Sequence, residues 1–181
     1  HRGVVASGDR KPLDGLAMED VLSEDDRGNA TILVCESIRN IDNIGMLFRI
    51  AAAFGVSGVV LSPDCHDPLY RKSIRVSIGH VLAIPFFRSD SWSADLATIR
   101  ERGFELVGAS IRGTGESPPA DADASGRIAL MVGSEFDGLS EEAAAMCDRL
   151  VRIRMATGVD SLNVGVAAAV LLDRMSTAPR A

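Results

Sequence analysis

No apolar run in this 181-residue chain approaches the roughly 20 residues that a membrane-spanning helix needs, so no such helix is expected. Arg2 is followed by Gly3, Val4 and Val5 and then by polar residues, without the apolar stretch of a secretory signal, and none is expected. Cysteine is scarce. Cys35, Cys65 and Cys147 are odd in number and lack CxxC spacing, which argues against a disulfide scaffold or a zinc knuckle and fits a reducing, cytoplasmic setting. The nucleotide signatures are missing too: there is no G-x-x-x-x-G-K-[ST], and no G-x-G-x-x-G follows the first apolar run. Without G-x-S-x-G there is no nucleophile elbow, and His66 and His80 have no spaced partner with which to hold a metal. Lysine is nearly absent, since 17 of the 19 cations are arginine. Arginine is the better bidentate phosphate ligand, but codon bias with abundant alanine explains the same count, so it implies no nucleic acid by itself.

What remains is an ordinary globular composition, 46% apolar and 24% charged, enough to exclude a wholly disordered chain. The net charge is −6, which alone speaks against phosphate binding. The basic residues nevertheless gather, as Arg71, Lys72 and Arg75 and again as Arg149, Arg152 and Arg154. Residues 1–28 read as a lead-in with a short helical turn. From Ala30 the pattern becomes regular. Short apolar runs at 30–35, 58–61, 84–87, 104–109, 128–132 and 150–154 read as strands. They alternate with helical spacing at 42–54, 70–77, about 91–102, after Ser140, and from Ser161 to Met175. The stretch 112–127, rich in Gly, Ser, Pro and Asp, reads as a loop. Strands alternating with helices define an α/β fold with a mainly parallel sheet flanked by helices.

Three junctions in this pattern combine glycine with polar side chains. Asn43-Ile-Gly45 with Arg49 enters a helix, and Gly45 lies one turn below Arg49. Gly133-Ser-Glu135 with Gly138 follows an apolar strand, and Ile153-Arg-Met155 leads to Ser161-Leu-Asn163 at a helix start. Open α/β sheets bind ligands at the carboxyl ends of their strands, where glycine admits a close approach and helix starts offer free N–H groups. Each junction also has a plain structural reading, as a turn, a helix cap or a solvated charge.

Together, and in this order, the three junctions resemble the SpoU (TrmH-like) RNA 2′-O-ribose methyltransferases of the SPOUT superfamily. Ala51-Ala-Ala-Phe-Gly55, Asp67-Pro68, Arg75-Val-Ser77-Ile-Gly79 and Val164 add to the match, which runs from about Thr31 to Met175. The resemblance implies a C-terminal deep trefoil knot at about 133–175, an exception to the usual rules of chain connection. It implies S-adenosylmethionine as cofactor, held near Ala109, Gly133, Ile153, Met155 and Leu162, with no metal. Arg49 is the implied catalytic residue, with Asn43, Glu135, Ser161 and Asn163 as the polar wall, and Arg71, Lys72 and Arg75 are the candidate RNA contacts. A normal arginine stays protonated, so clamping a phosphate is its safer role.

The resemblance further implies a homodimer acting on rRNA or tRNA, without membrane contact. Residues 29–181 are then the catalytic domain, and 1–28, beginning His1-Arg-Gly-Val4, resemble the link to an N-terminal RNA-binding domain. Such a domain elsewhere would reconcile the acidic charge with an RNA substrate. Three positions depart from the family pattern: Arg154 stands where proline is common, Ile50 replaces a small hydroxyl residue, and Gly165 replaces serine or alanine. The alternatives are an inactive RNA-binding or assembly protein with the same fold, and an unrelated nucleotide-binding enzyme, for which no motif speaks.

Overall fold

The computed structural model describes residues 16–22, 30–113, 115–116 and 126–175. Of the lead-in 1–28, residues 1–15, with the His1-Arg-Gly-Val4 segment, and 23–28 lie outside the described residues, as do 114 and 117–125 of the loop. Seven strands form one sheet: β1 (Thr31–Cys35), β2 (Gly58–Leu61), β3 (Phe86–Arg88), β4 (Phe104–Ala109), β5 (Gly115–Glu116), β6 (Arg127–Val132) and β7 (Arg149–Arg152). Their order is β3-β2-β1-β6-β4-β7-β5, and every pairing is parallel. Among the described residues six α-helices and one short 3-10 helix (His80–Leu82) accompany them: α1 (Met18–Val21), α2 (Ile41–Ala53), α3 (Arg71–Val76), α4 (Trp92–Glu101), α5 (Glu141–Met146) and α6 (Val164–Met175).

The unbroken apolar runs follow from burial on both faces of the sheet. Along β1, Leu33 and Cys35 pack on one side with Leu47, Phe48 and Ala51 of α2 and Ala168, Leu171 and Leu172 of α6. Ile32 and Val34 point to the other side, where Val21 of α1, Leu96 and Ile99 of α4 and Ala143 of α5 cover them. The side chains alternate because the strand period is two, and each half of the run fills a separate core.

Most element boundaries agree with the sequence pattern, and the differences have local causes. The ladder of β3 begins two residues late because Pro85 has no N–H to donate and only its carbonyl pairs, with Val59. The stretch 112–127 is not wholly loop, since Gly115 and Glu116 pair with Val151 and Arg152 as an edge strand. Strand β7 spans Arg149–Arg152, and its pairings run to Val151 opposite Ala109 and Arg152 opposite Glu116. Helix α6 starts at Val164 rather than Ser161.

Buried polar groups tie the strand ends together. The Glu36 carboxylate, just past β1 and only 5% exposed, accepts hydrogen bonds from Trp92 Nε1 at 3.0 Å and from the Ser140 N–H and hydroxyl, both at 2.8 Å. Ser140 in turn caps α5, accepting from the Ala143 N–H. On the opposite flank Asp64 accepts from Ser62, Ser37 and Arg39. Partial burial pushes its carboxyl up, but these hydrogen bonds outweigh burial and hold it at about 2. Burial raises all three thiols, Cys147 to about 11, so none is an activated nucleophile. No helix of the described residues is long and apolar enough to cross a membrane.

Glu36→Ala strands the Trp92 and Ser140 donors and is expected to cost about 2–3 kcal/mol. Urea unfolding followed by fluorescence of the single tryptophan measures it; an unchanged midpoint contradicts this role for Glu36.

Candidate active site

The carboxyl ends of β6, β4 and β7 lie side by side, and the segments leaving them enclose a cleft of about 630 Å³. Its first wall is a tight turn after β6. The Gly138 N–H donates to the Ser134 carbonyl at 3.0 Å, and the Asp137 N–H donates to Ser134 Oγ at 3.1 Å. Gly138 closes the turn at φ +71°, a left-handed conformation that favours glycine. A Cβ on Gly133 would stand 2.1 Å from the Gly138 carbonyl oxygen. Gly133 is thus demanded by the closure of its own turn, whatever the cleft receives.

The second wall is the segment from β7 to α6, which brings Ile153, Met155, Ser161 and Leu162 to the cleft. Ala109, at the end of β4, completes it. All five residues expected to hold a cofactor therefore line one space, with Glu135 and Ser161 on the same surface.

Asn163 joins the polar residues. Its Oδ1 accepts from the Gly165 N–H at 2.9 Å, capping α6, which is why the helix begins after it and not at Ser161. Its Nδ2 donates to Asn43 Oδ1 at 3.1 Å and to Glu135 Oε1 at 3.1 Å. One amide thus links α2, the turn after β6 and the start of α6. Asn43 is buried, while Glu135 and Asn163 face solvent.

Arg49 is not brought to this cleft. It is exposed on α2 and makes no hydrogen bond or ion pair with the described residues. Gly45 beneath it serves helix packing: an added Cβ would meet Val76 Cβ at 2.7 Å and the Ser73 carbonyl at 2.8 Å, so α3 lies against it. Arg71, Lys72 and Arg75 ride on α3, outside the cleft, and Lys72 Nζ pairs with Asp42 at 2.7 Å. Arg49, expected beside the polar wall, and the three RNA-contact candidates thus lie outside the cleft lining; helical spacing relates neighbours within one helix but says nothing of how two helices pack.

Some lining residues carried no site signal in the sequence. Arg112 and Phe136 line the cleft, and Glu36 braces it from below through Ser140. Phe136 stood in plain view between Glu135 and Gly138, but an aromatic inside a turn has no motif. Arg154, where the family pattern has proline, also reaches the cleft. At Gly165 a Cβ would sit 2.6 Å from Met46 Cε, so in this chain Met46 fills the space that a larger residue would need.

An apolar cleft with a polar rim at the carboxyl ends of parallel strands is the ligand site of an open α/β domain. The chain belongs to the SpoU rRNA Methylase family, whose sequence profile matches residues 30–173. It is 41% identical over 135 residues to an uncharacterised tRNA/rRNA methyltransferase of Mycobacterium tuberculosis, covering 74% of this chain and 45% of that protein. It is 31% identical over 133 residues to the 23S rRNA (guanosine-2′-O-)-methyltransferase RlmB of Pseudomonas syringae pv. tomato, covering 74% of this chain and 52% of the relative. The chain thus spans about half the length of these relatives. Among solved structures, the SpoU methyltransferase AviRb from Streptomyces viridochromogenes in complex with AdoMet superposes with a TM-score of 0.79 at 28% identity, over 91% of this chain and 62% of that one. The AdoMet-bound rRNA methyltransferase from Sinorhizobium meliloti gives 0.76 at 27% identity, over 91% and 59%.

Replacing Asn163 with alanine removes the cap and both links. It is expected to lower stability by about 1–2 kcal/mol and to speed amide exchange at Gly165 and Val166. Hydrogen exchange resolved by residue tests this, and unchanged protection at those two amides contradicts it.

Proposed function

We propose that this chain is an S-adenosylmethionine-dependent methyltransferase that modifies a ribose 2′-hydroxyl of rRNA or tRNA. The observation that carries the reading is the junction of Asn43, Glu135 and Asn163 on the rim of a cleft at the strand ends, in a chain of the SpoU family. The cleft suits the cofactor. Ile153, Met155 and Leu162 offer an apolar wall for an adenine, and the turn at Gly133 brings backbone groups to the same surface. When bound, the cofactor supplies a methyl group already activated on a sulfonium.

The chain's own residues then position the acceptor. Glu135 and Ser161 hold the ribose hydroxyls, and Asn163 fixes Glu135 in place. Arg49 clamps the neighbouring phosphate with its guanidinium, and that positive charge favours loss of the hydroxyl proton to solvent. Its distance from the cleft suits a strand that crosses from the rim towards α2. Residues 29–181 act as the catalytic unit, and Arg71, Lys72 and Arg75 extend the phosphate path along α3.

The same reading includes the trefoil knot at 133–175. Its support is the course of the chain: β7 lies beyond β4, and α6 then returns to pack on α2 and β6. It also includes a homodimer in the cytoplasm, with exposed Val159, Leu162 and Val166 beside the cleft as the apolar surface that a second copy would cover.

Transfer of tritiated methyl groups to unmodified rRNA and tRNA transcripts, followed by nucleoside analysis, tests the reaction. The expected product is a 2′-O-methyl nucleoside, and a methylated base contradicts the proposal. Arg49→Ala is expected to lower transfer by roughly 100-fold or more while leaving affinity for S-adenosylhomocysteine within about twofold. Loss of both together contradicts the phosphate-clamp role.

A further inference from the structure

Phe136 is 95% exposed, the most exposed large apolar side chain among the described residues. It stands at the apex of the turn after β6 and forms part of the cleft lining. The turn is fastened at both ends. Ser134 accepts from the Gly138 and Asp137 N–H groups, and Ser140 is held by the buried Glu36 carboxylate. A phenyl ring open to water on a hydrogen-bonded turn, next to Glu135, has a surface to offer.

The charges around it select the partner. Glu135 and Asp137 flank the ring and repel a phosphate from the turn itself, whereas the uncharged face of a nucleobase suffers no such repulsion. Arg112 and Arg152, both exposed, line the same cleft and offer cations for a sugar–phosphate backbone. Single-stranded RNA is bound in just this way, with bases stacked on aromatic rings and phosphates tracked by arginine. We propose that Phe136 is a stacking platform for a base of the substrate RNA, at or next to the methylated nucleotide, with Arg112 and Arg152 on its backbone. The inference rests on the methyltransferase reading above and deepens it by requiring the target to be unpaired, because a base within a duplex cannot reach the ring.

The test is fluorescence anisotropy of the full chain, with saturating S-adenosylhomocysteine, against two labelled probes: a 12-nucleotide oligoadenylate and an abasic chain of the same length. Phe136→Leu is expected to bind oligoadenylate roughly tenfold more weakly, and Phe136→Tyr within about twofold of the unaltered chain. The abasic probe is expected not to distinguish the three proteins. Arg152→Ala is expected to weaken both probes alike and to lower the salt dependence. Equal affinity of Phe136→Leu and the unaltered chain for oligoadenylate overturns the proposal, as does failure of the unaltered chain to prefer oligoadenylate over the abasic probe. If Phe136→Leu leaves affinity unchanged but halves the mass in sedimentation equilibrium, the ring belongs to a contact between copies, and the proposal falls. Titration of S-adenosylhomocysteine into ligand-free samples of the same proteins, before RNA is added, separates the two readings: absence of binding counts against the methyltransferase, whereas binding without a Phe136 effect overturns only the stacking role.

Discussion

The Asn163 amide is the point on which the site depends. Its oxygen caps α6, and its nitrogen bonds to Asn43 and Glu135, residues 120 and 28 positions away in the chain. Both ends of the amide are committed, so its orientation is fixed by the groups around it. Removing it would release a helix start, a buried asparagine and a carboxylate together. Three segments that share no strand pairing are thereby held in one register.

A second anchor lies beneath the first. The Glu36 carboxylate holds Ser140, the last residue of the segment that begins at Gly133, and receives the Trp92 indole from α4. The turn carrying Glu135 and Phe136 is thus tied to Asn163 at the rim and to Glu36 below. Between these anchors the glycines at 133 and 138 permit the tight closure that the hydrogen bonds require. A rigid rim suits the proposed reaction, in which a ribose hydroxyl is aligned with a methyl donor, because small misplacements of reacting groups cost large factors in rate.

Much of this was legible in the sequence. The uninterrupted apolar runs at 31–35 and 128–132 announced strands covered on both faces, and Ser140 announced the start of α5. The residues around the cleft were legible because glycine and polar side chains at strand ends form a pattern that survives without coordinates. Partnerships across the fold were not. Gly45 looked like room for a ligand and proved to be room for α3, since the sequence does not say which helices touch. The two-residue β5 lay inside a stretch of turn-forming residues, where a short edge pairing leaves no periodicity. Glu36 and Phe136 were silent for a related reason: burial of a carboxylate and exposure of an aromatic are properties of the folded chain alone.

The central claim is that the cleft between Gly133, Ile153 and Leu162 is the cofactor site, and calorimetry addresses it most directly. S-Adenosylhomocysteine titrated into the unaltered chain and into Leu162→Asp, a change at a partly exposed wall position, compares binding with and without the apolar surface. The account predicts one saturable site per chain, weakened by roughly tenfold or more in the variant, as expected when an apolar wall becomes charged. Absence of saturable binding to the folded chain, or equal binding by both proteins, would contradict it.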